Sequence, residues 1–156
     1  TLSLHDALPI LLEEKLPIKS LTVMVQKEAA ERICAEPGTR DVGAVSIAVR
    51  YYAEPEMLFK VSAGSFVPPP KVDSEVIKLD ILAEPPIKPK DEKQFFRLVK
   101  SAFAQRRKTL SNSLSSGLGV SKSDIAQALE SCGLKPTARA EELSMQDFCK
   151  LADYLL

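Results

Sequence analysis

Three consecutive prolines, Pro68-Pro69-Pro70 in "FVPPPKV", constrain this chain more than any other stretch of it. Proline fixes φ and has no amide donor, so the run can neither join a sheet ladder nor continue a helix. It must form an extended, semi-rigid connector. The segments on either side alternate. "EMLFKVSAGSF" sets Met57, Phe59 and Val61 against Leu58, Lys60 and Ser62, and "VDSEVIKLDIL" sets Val76, Lys78 and Asp80 against Ile77, Leu79 and Ile81. A period of two predicts strands. Two strands around a stiff loop predict an antiparallel pair at the edge of a sheet that otherwise runs parallel.

Upstream, Leu11 to Leu16 reads as the tail of a helix that Pro17 ends. "SLTVMV", Ser20 to Val25, is a short apolar run rich in strand formers, which suits a strand buried on both faces. "QKEAAERICAEPGT" predicts a helix with Ala29, Ala30, Ile33 and Cys34 on one side and Pro37-Gly38 as its stop. "GAVSIAVRYYAEP" predicts a second helix, although Val45, Ile47 and Val49 also alternate as a strand would.

Downstream, "AEPPIKPKDEK" is rich in proline and lysine and poor in apolar residues, the composition of a linker. The expected organisation is therefore an α/β part over residues 11–84, a linker over 85–92 and an all-helical part over 93–156. Phe96, Val99, Phe103, Leu110 and Leu114 recur at helical spacing, which predicts one helix broken at "SSGLG". Ser121-x-x-Asp124 and Ser144-x-x-Asp147 are capping boxes opening two further helices.

Composition excludes several classes of function. The chain has 156 residues, 45% apolar and 27% charged, which is a soluble globular balance with room for a real core. Its apolar runs are too short to span a membrane, and its start lacks a secretory signal. Cys34, Cys132 and Cys149 are odd in number and widely spaced, and read as free thiols in a reducing compartment rather than metal ligands. The formal net charge is zero. That balance hides a stretch from Lys93 to Lys122 with seven basic residues and no acidic one, which attracts polyanions locally.

Four places have chemistry to offer. His5 is the only histidine and stands beside Asp6, but a lone His-Asp pair needs a third group before it can catalyse anything. "TLSLHDALPI" is also what ACT CTT TCC CTA CAC GAC GCT CTT CCG ATC encodes in frame, a string resembling a common sequencing-library adapter. On that reading residues 1–10 are an artefact and His5 carries no function. Phe66, beside Lys71 on the proline loop, could stack on a base while the lysine neutralises a phosphate, or it could be plain core.

In "AFAQRRKTLSNSL", Arg106, Arg107 and Lys108 suit phosphate, since guanidinium forks match phosphate oxygens. On a helical wheel Arg106 and Arg107 flank the apolar stripe, where they would brace the lobe interface, while Lys108 points away with Arg97. Lys100, Lys108 and Arg97 would then meet the polyanion, unless this is only a solvated basic face. Arg139 could pair with Glu141 or Glu142, or touch RNA. No glycine-rich cofactor loop is present.

Taken in order, "VMVQKEAAERICAEPGTRDVGAVSIAVRYYAEP", "FVPPPKVDS" and "FAQRRKTLSNSL" resemble the ribosomal RNA small-subunit adenine dimethyltransferase family, the KsgA type. The resemblance runs from about Leu11 to Leu156. Antibiotic-resistance methyltransferases of large-subunit RNA share the loop but match the remainder less well. The resemblance implies the C-terminal part of a Rossmann-like, S-adenosylmethionine-dependent methyltransferase domain followed by a small all-helical domain. It implies base stacking by Phe66, and RNA contact by Lys71, Arg97, Lys100, Arg106, Arg107 and Lys108.

In that family the cofactor loop and an Asn-Leu-Pro-Tyr catalytic segment lie in the first half of the domain. No such segment is encoded here, and "ALPI" shares only Leu8-Pro9 with it. The expectation is therefore a truncated rRNA (adenine-N6,N6)-dimethyltransferase with no catalytic or cofactor-binding residue of its own. The parent protein would be a cytoplasmic monomer acting on small-subunit ribosomal RNA in the pre-ribosomal small subunit. The rival expectation is a stand-alone, non-enzymatic RNA-binding module.

Overall fold

The computed structural model describes residues 4–156, with side chains from Ala7 onward. The side chains of His5 and Asp6 lie outside the described residues. The chain divides into two compact units. One runs up to Glu36 and takes in Asp41–Pro86, and the other joins Pro37–Arg40 to Ile87–Leu156. No described helix is long and apolar enough to cross a membrane.

The first unit opens with α1 (Leu4–Glu13), which turns out of its helix through Lys15 at φ 49°. Pro17 then disfavours helix at the residue before it. β1 (Ser20–Gln26) runs directly into α2 (Lys27–Cys34), and α3 (Ala44–Tyr52) runs directly into β2 (Ala53–Val61). β3 (Ser74–Ile81) completes a three-stranded sheet in the order β1-β3-β2. β3 pairs antiparallel with both neighbours. The two strands around the proline loop thus form the expected antiparallel pair at the edge of the sheet, with β2 outermost and β3 inserted between it and β1. β3 runs antiparallel to β1 as well, so no two neighbouring described strands are parallel.

α2 lies on this sheet and α3 packs against α1 and α2. Leu8, Ile33, Ile47, Ile77 and Leu79 are all at most 1% exposed. Polar groups tie the helices together. Ser46 Oγ accepts from Gly43 N–H at 2.9 Å and donates to Arg32 O, while Arg50 donates through Nε to Ala35 O (3.1 Å) and through Nη2 to Cys34 O (2.9 Å). Arg50 thereby satisfies carbonyls that the end of α2 leaves free.

Two expectations for the sheet fail for physical reasons. β1 is not buried on both faces: Leu21, Val23 and Val25 alternate with exposed Thr22, Met24 and Gln26. α2 meets all three strands, Met24 on β1 stays 47% exposed, and no described strand pairs with the outer edge of β1. The alternation in β2 is also broken. The register shifts between Met57 and Phe59, so Met57 faces Ile77 while Phe59 faces Val76. A bulge at Leu58 thus sends the two apolar side chains to opposite faces. Met24, Val76 and Phe59 consequently form one cross-strand row on the uncovered face, with Met24 47% and Phe59 57% exposed.

The second unit contains α4 (Glu92–Phe103), α5 (Leu110–Leu118), α6 (Lys122–Ser131), the short 3₁₀ turn Ala140–Glu142 and α7 (Met145–Leu155). Its packing is closed. α4 meets α5 and α7, and α6 meets α5 and α7, around Phe95, Leu98, Leu114, Ile125, Leu129, Phe148 and Leu151, none of them measurably exposed. Ser121 accepts from Asp124 N–H and Ser144 from Asp147 N–H, as the two capping boxes predict, and Asp91 accepts from Gln94 N–H at the start of α4. Part of the proline-rich segment over 85–92 is built into this unit. Ile87 is buried, and Lys90 N–H donates to Asp153 Oδ1 of α7 at 2.8 Å.

Glycine at 117 is required by the crossing of α4 and α5. A Cβ there would sit 2.6 Å from Ser101 Cβ and Oγ. No apolar periodicity announces that contact, because it depends on a helix pairing made in three dimensions.

Candidate functional site

The proline loop spans residues 62–73, between the end of β2 and the start of β3. Its first turn is a 3₁₀ helix, Ala63–Ser65, in which Ser62 Oγ accepts from Gly64 N–H and Ala63 O accepts from Phe66 N–H at 3.3 Å. The prolines follow, with a cis bond between Val67 and Pro68. Phe66 is half-buried, neither sealed in the core nor free in water. Val67 beside it is 100% exposed, and Lys71 is exposed as well.

The base of the loop is pinned by Asp73. Its Oδ1 accepts from Ala63 N–H at 2.9 Å, its Oδ2 pairs with Lys60 Nζ at 2.9 Å, and its carbonyl accepts from Lys27 N–H at 3.0 Å. The Ala63 amide, followed by Lys60, holds the Asp73 carboxyl below the usual carboxylate range. The same contact holds the Lys60 ammonium above its ordinary range. Asp73 in "KVDS" is not among the residues that the sequence singles out, although an aspartate at the foot of a tight loop is a recognisable Asx-type anchor.

The basic segment is arranged differently from its expected form. Arg106, Arg107 and Lys108 do not lie on a helix. α4 ends at Phe103, the chain turns through 104–108, and Thr109 is the extended N-cap residue of α5. The break comes well before "SSGLG", where Gly119 at φ 70° ends α5. Contacts made in three dimensions hold it: Leu110 N–H donates to Ala138 O (2.9 Å), and Ser113 Oγ donates to Gln105 O (3.4 Å). Helical-wheel positions for these three cations therefore do not apply.

All three are exposed, and Arg106 Nη2 also donates to Arg40 O at 3.0 Å within the same unit. Arg97 and Lys100 are exposed three residues apart on α4, opposite buried Leu98 and Val99, so they are neighbours on one helix face. Lys100 lies one turn before the basic turn. The negative end of the α4 dipole favours cations there whatever else they do. At Arg139 it is the backbone N–H that meets Glu142, at 2.6 Å, in the cap of the 3₁₀ turn.

Among the described residues there is no glycine-rich loop of the kind that would cradle S-adenosylmethionine. The junction from β1 to α2 passes from Gln26 to Lys27 with no glycine, so it leaves no loop for a cofactor to approach. A Cβ at Gly43 would meet the Arg32 stem at 3.6 Å, an ordinary van der Waals contact. Among the described residues no group of three or more His, Cys, Asp or Glu could hold a metal ion. The three cysteines are free, and burial pushes the Cys34 thiol up to about 11 and raises those of Cys132 and Cys149. Thiols so poorly ionised are weak nucleophiles.

Comparison with known proteins places this architecture. The dimethyladenosine transferase from Plasmodium falciparum superposes with a TM-score of 0.69 at 23% identity, covering 97% of this chain and 63% of that one. The 23S rRNA methyltransferase ErmE superposes with a TM-score of 0.66 at 21% identity, covering 99% and 62%. Both show a shared fold.

The Ribosomal RNA small subunit methyltransferase A of Clostridium botulinum is 51% identical over 143 residues, 92% of this chain and 52% of that protein. The protein of the same name from Alkaliphilus oremlandii is 50% identical over 145 residues, 92% and 50% of the two chains. This chain thus spans about half the length of the curated relatives it matches. The model of one family, Ribosomal RNA adenine dimethylase, matches residues 8–156, a span that takes in buried Leu8 as well as the proline loop and the basic turn. The chain belongs to the ribosomal RNA adenine dimethylase family.

Proposed function

We propose that these residues are the C-terminal part of an S-adenosylmethionine-dependent rRNA (adenine-N6,N6)-dimethyltransferase: the end of a Rossmann-like domain followed by a helical RNA-docking domain. Its substrate is small-subunit ribosomal RNA, met on a pre-ribosomal particle in the cytoplasm, and it works as a monomer. The observation that carries the reading is the presentation of Phe66. An aromatic ring sits half-exposed on a loop stiffened by three prolines and pinned at its base by Asp73.

Chemistry on a base inside folded RNA requires the base to leave its stack, at a cost of about a few kcal/mol. A waiting aromatic face offsets roughly 1–3 kcal/mol of that cost. Phe66 supplies the face, and Lys71 supplies charge for the neighbouring phosphate. Arg97, Lys100, Arg107 and Lys108 supply further phosphate contacts, with Arg106 shared between the backbone of Arg40 and the polyanion. On this reading the part of the described residues is to bind RNA and orient the base.

Salt dependence tests the RNA-facing role. If Arg107 and Lys108 each meet one phosphate, replacing both by alanine flattens the slope of log affinity against log salt by roughly 1.4 for single-stranded RNA. An unchanged slope assigns both cations to the α4 terminus alone. Calorimetric titration of this chain with S-adenosylmethionine is expected to show no saturable heat, and micromolar binding would overturn the division of labour.

A further inference from the structure

We propose that Asp73 is a positioning residue for Phe66, acting through the Ala63 peptide; this rests on the base-stacking reading of Phe66 above. The path is short and each step is a hydrogen bond. Asp73 Oδ1 accepts from Ala63 N–H (2.9 Å), and the carbonyl of the same Ala63 accepts from Phe66 N–H (3.3 Å). Asp73 is itself fixed from two other directions, by Lys60 Nζ on β2 and by the first amide of α2, Lys27 N–H. One residue therefore ties the last turn of β2, the first residue of the 3₁₀ turn and the start of α2 to the foot of β3.

Without it, the turn keeps only local contacts within residues 62–66: the Ser62 hydroxyl with Gly64 N–H, and two backbone bonds, Ser65 N–H to Ser62 O and Phe66 N–H to Ala63 O. Side-chain hydroxyls are weaker turn anchors than carboxylates. The prolines stiffen the chain after Phe66 but do not fix where it begins. That origin is what Asp73 sets. Of its two side-chain contacts, the Ala63 bond acts on the ring. Lys60 is more than half exposed, so its pairing is screened by solvent and secondary.

Fluorine NMR of this chain, carrying 4-fluorophenylalanine at its six phenylalanines, separates the outcomes. Phe66→Leu assigns the resonance. In Asp73→Ala the Phe66 signal is expected to move to the motionally averaged position while the other five stay in place. Asp73→Asn, which keeps an acceptor for Ala63 N–H, should restore the wild-type signal, and Lys60→Met should leave it unmoved. An unmoved Phe66 signal in Asp73→Ala overturns the proposal, as does an Asn variant no better than Ala.

If Asp73→Ala fails to fold, hydrogen exchange in the unaltered chain decides. A protected Ala63 amide supports the anchor, and one exchanging at an open-loop rate overturns it. The probe for the reading beneath is a short oligoribonucleotide with one unpaired adenine. It should shift the Phe66 signal of the unaltered chain and bind Asp73→Ala about tenfold more weakly, the loss of one base–aromatic stack. An oligonucleotide that never shifts Phe66 refutes the stacking role, while the anchoring role of Asp73 still stands or falls on the signals recorded without RNA.

Discussion

The two units of this chain solve the same problem with unequal success. The helical unit closes its core: every large side chain at the centre is sealed, each helix from α4 to α7 except α5 starts on a side chain that caps an amide, and α5 ends on a left-handed glycine. The sheet unit buries one face and leaves the other open, with Met24, Val76 and Phe59 in a row and the outer edge of β1 unpaired among the described residues. The difference follows from where backbone hydrogen bonds go. A helix satisfies its own, so four helices make a complete unit. A strand needs neighbours, and every strand left without one exposes a polar edge.

The sharpest test of that contrast is a large-to-small change in each unit. Phe148 is fully buried on α7, with its ring 5.7 Å from that of Phe103. Phe148→Ala should cost about 3–5 kcal/mol in urea denaturation, because a cavity opens in a core with no slack. A loss well below that would mean the helical unit is no better packed than the sheet.

Gly117 gives a smaller and more specific test. Gly117→Ala places a methyl 2.6 Å from Ser101, and overpacking of this kind costs about 1–3 kcal/mol. Adding Ser101→Gly should recover most of that loss, since it removes both the Cβ and the Oγ that clash. A double variant as unstable as the single one would place the strain elsewhere than the α4–α5 crossing.

Legibility in the sequence divides along the same line. Features carried by neighbouring residues are readable: period-two strands around the prolines, the helix of "KEAAERIC", and the Ser-x-x-Asp caps at Ser121 and Ser144. Features set by distant partners are not. The basic segment continues the apolar stripe from Phe103 to Leu110 so well that a helix is the natural reading. The turn is tied by Leu110 N–H to Ala138 O, far outside that segment, and by Ser113 Oγ to Gln105 O, a bond that a continuous helix would not make. Position 58 shows the same limit: alternation through Leu58 is intact in the sequence and broken in the ladder. At the site, Phe66 and Lys71 are visible as types on a stiff loop, whereas Asp73 becomes evident only through the atoms it holds.

The uncovered face makes the opposite prediction to Phe148. Phe59→Thr removes an aromatic ring that is 57% exposed, from a position where a β-branched residue also suits a strand. The change in stability should stay within about 0.5 kcal/mol, the range of surface substitutions. A loss several times larger in the same urea titration would show that something covers this row in solution, and the contrast between the units would weaken.

The smallest expected effect is the most informative about the loop. Asp73 titrates below its ordinary range, chiefly through the Ala63 amide and then through Lys60. Its contribution is therefore present above the ordinary aspartate range and is lost as pH falls through its lowered value, because the unfolded chain takes up the proton first. Lys60 titrates above its ordinary range, chiefly through its bond to Asp73, so its contribution holds below the ordinary lysine range and is lost as pH rises through the raised value. Stability of the sheet unit should thus show a plateau that slopes down at both ends. Lys60→Met should remove the alkaline slope and keep most of the acid one, because the Ala63 bond is the first cause of the Asp73 shift. Asp73→Asn should remove both. Each slope is shallow, as befits a pair that water screens. An acid slope that vanishes in Lys60→Met would make the ion pair, and not the Ala63 amide, the contact that matters at the foot of this loop.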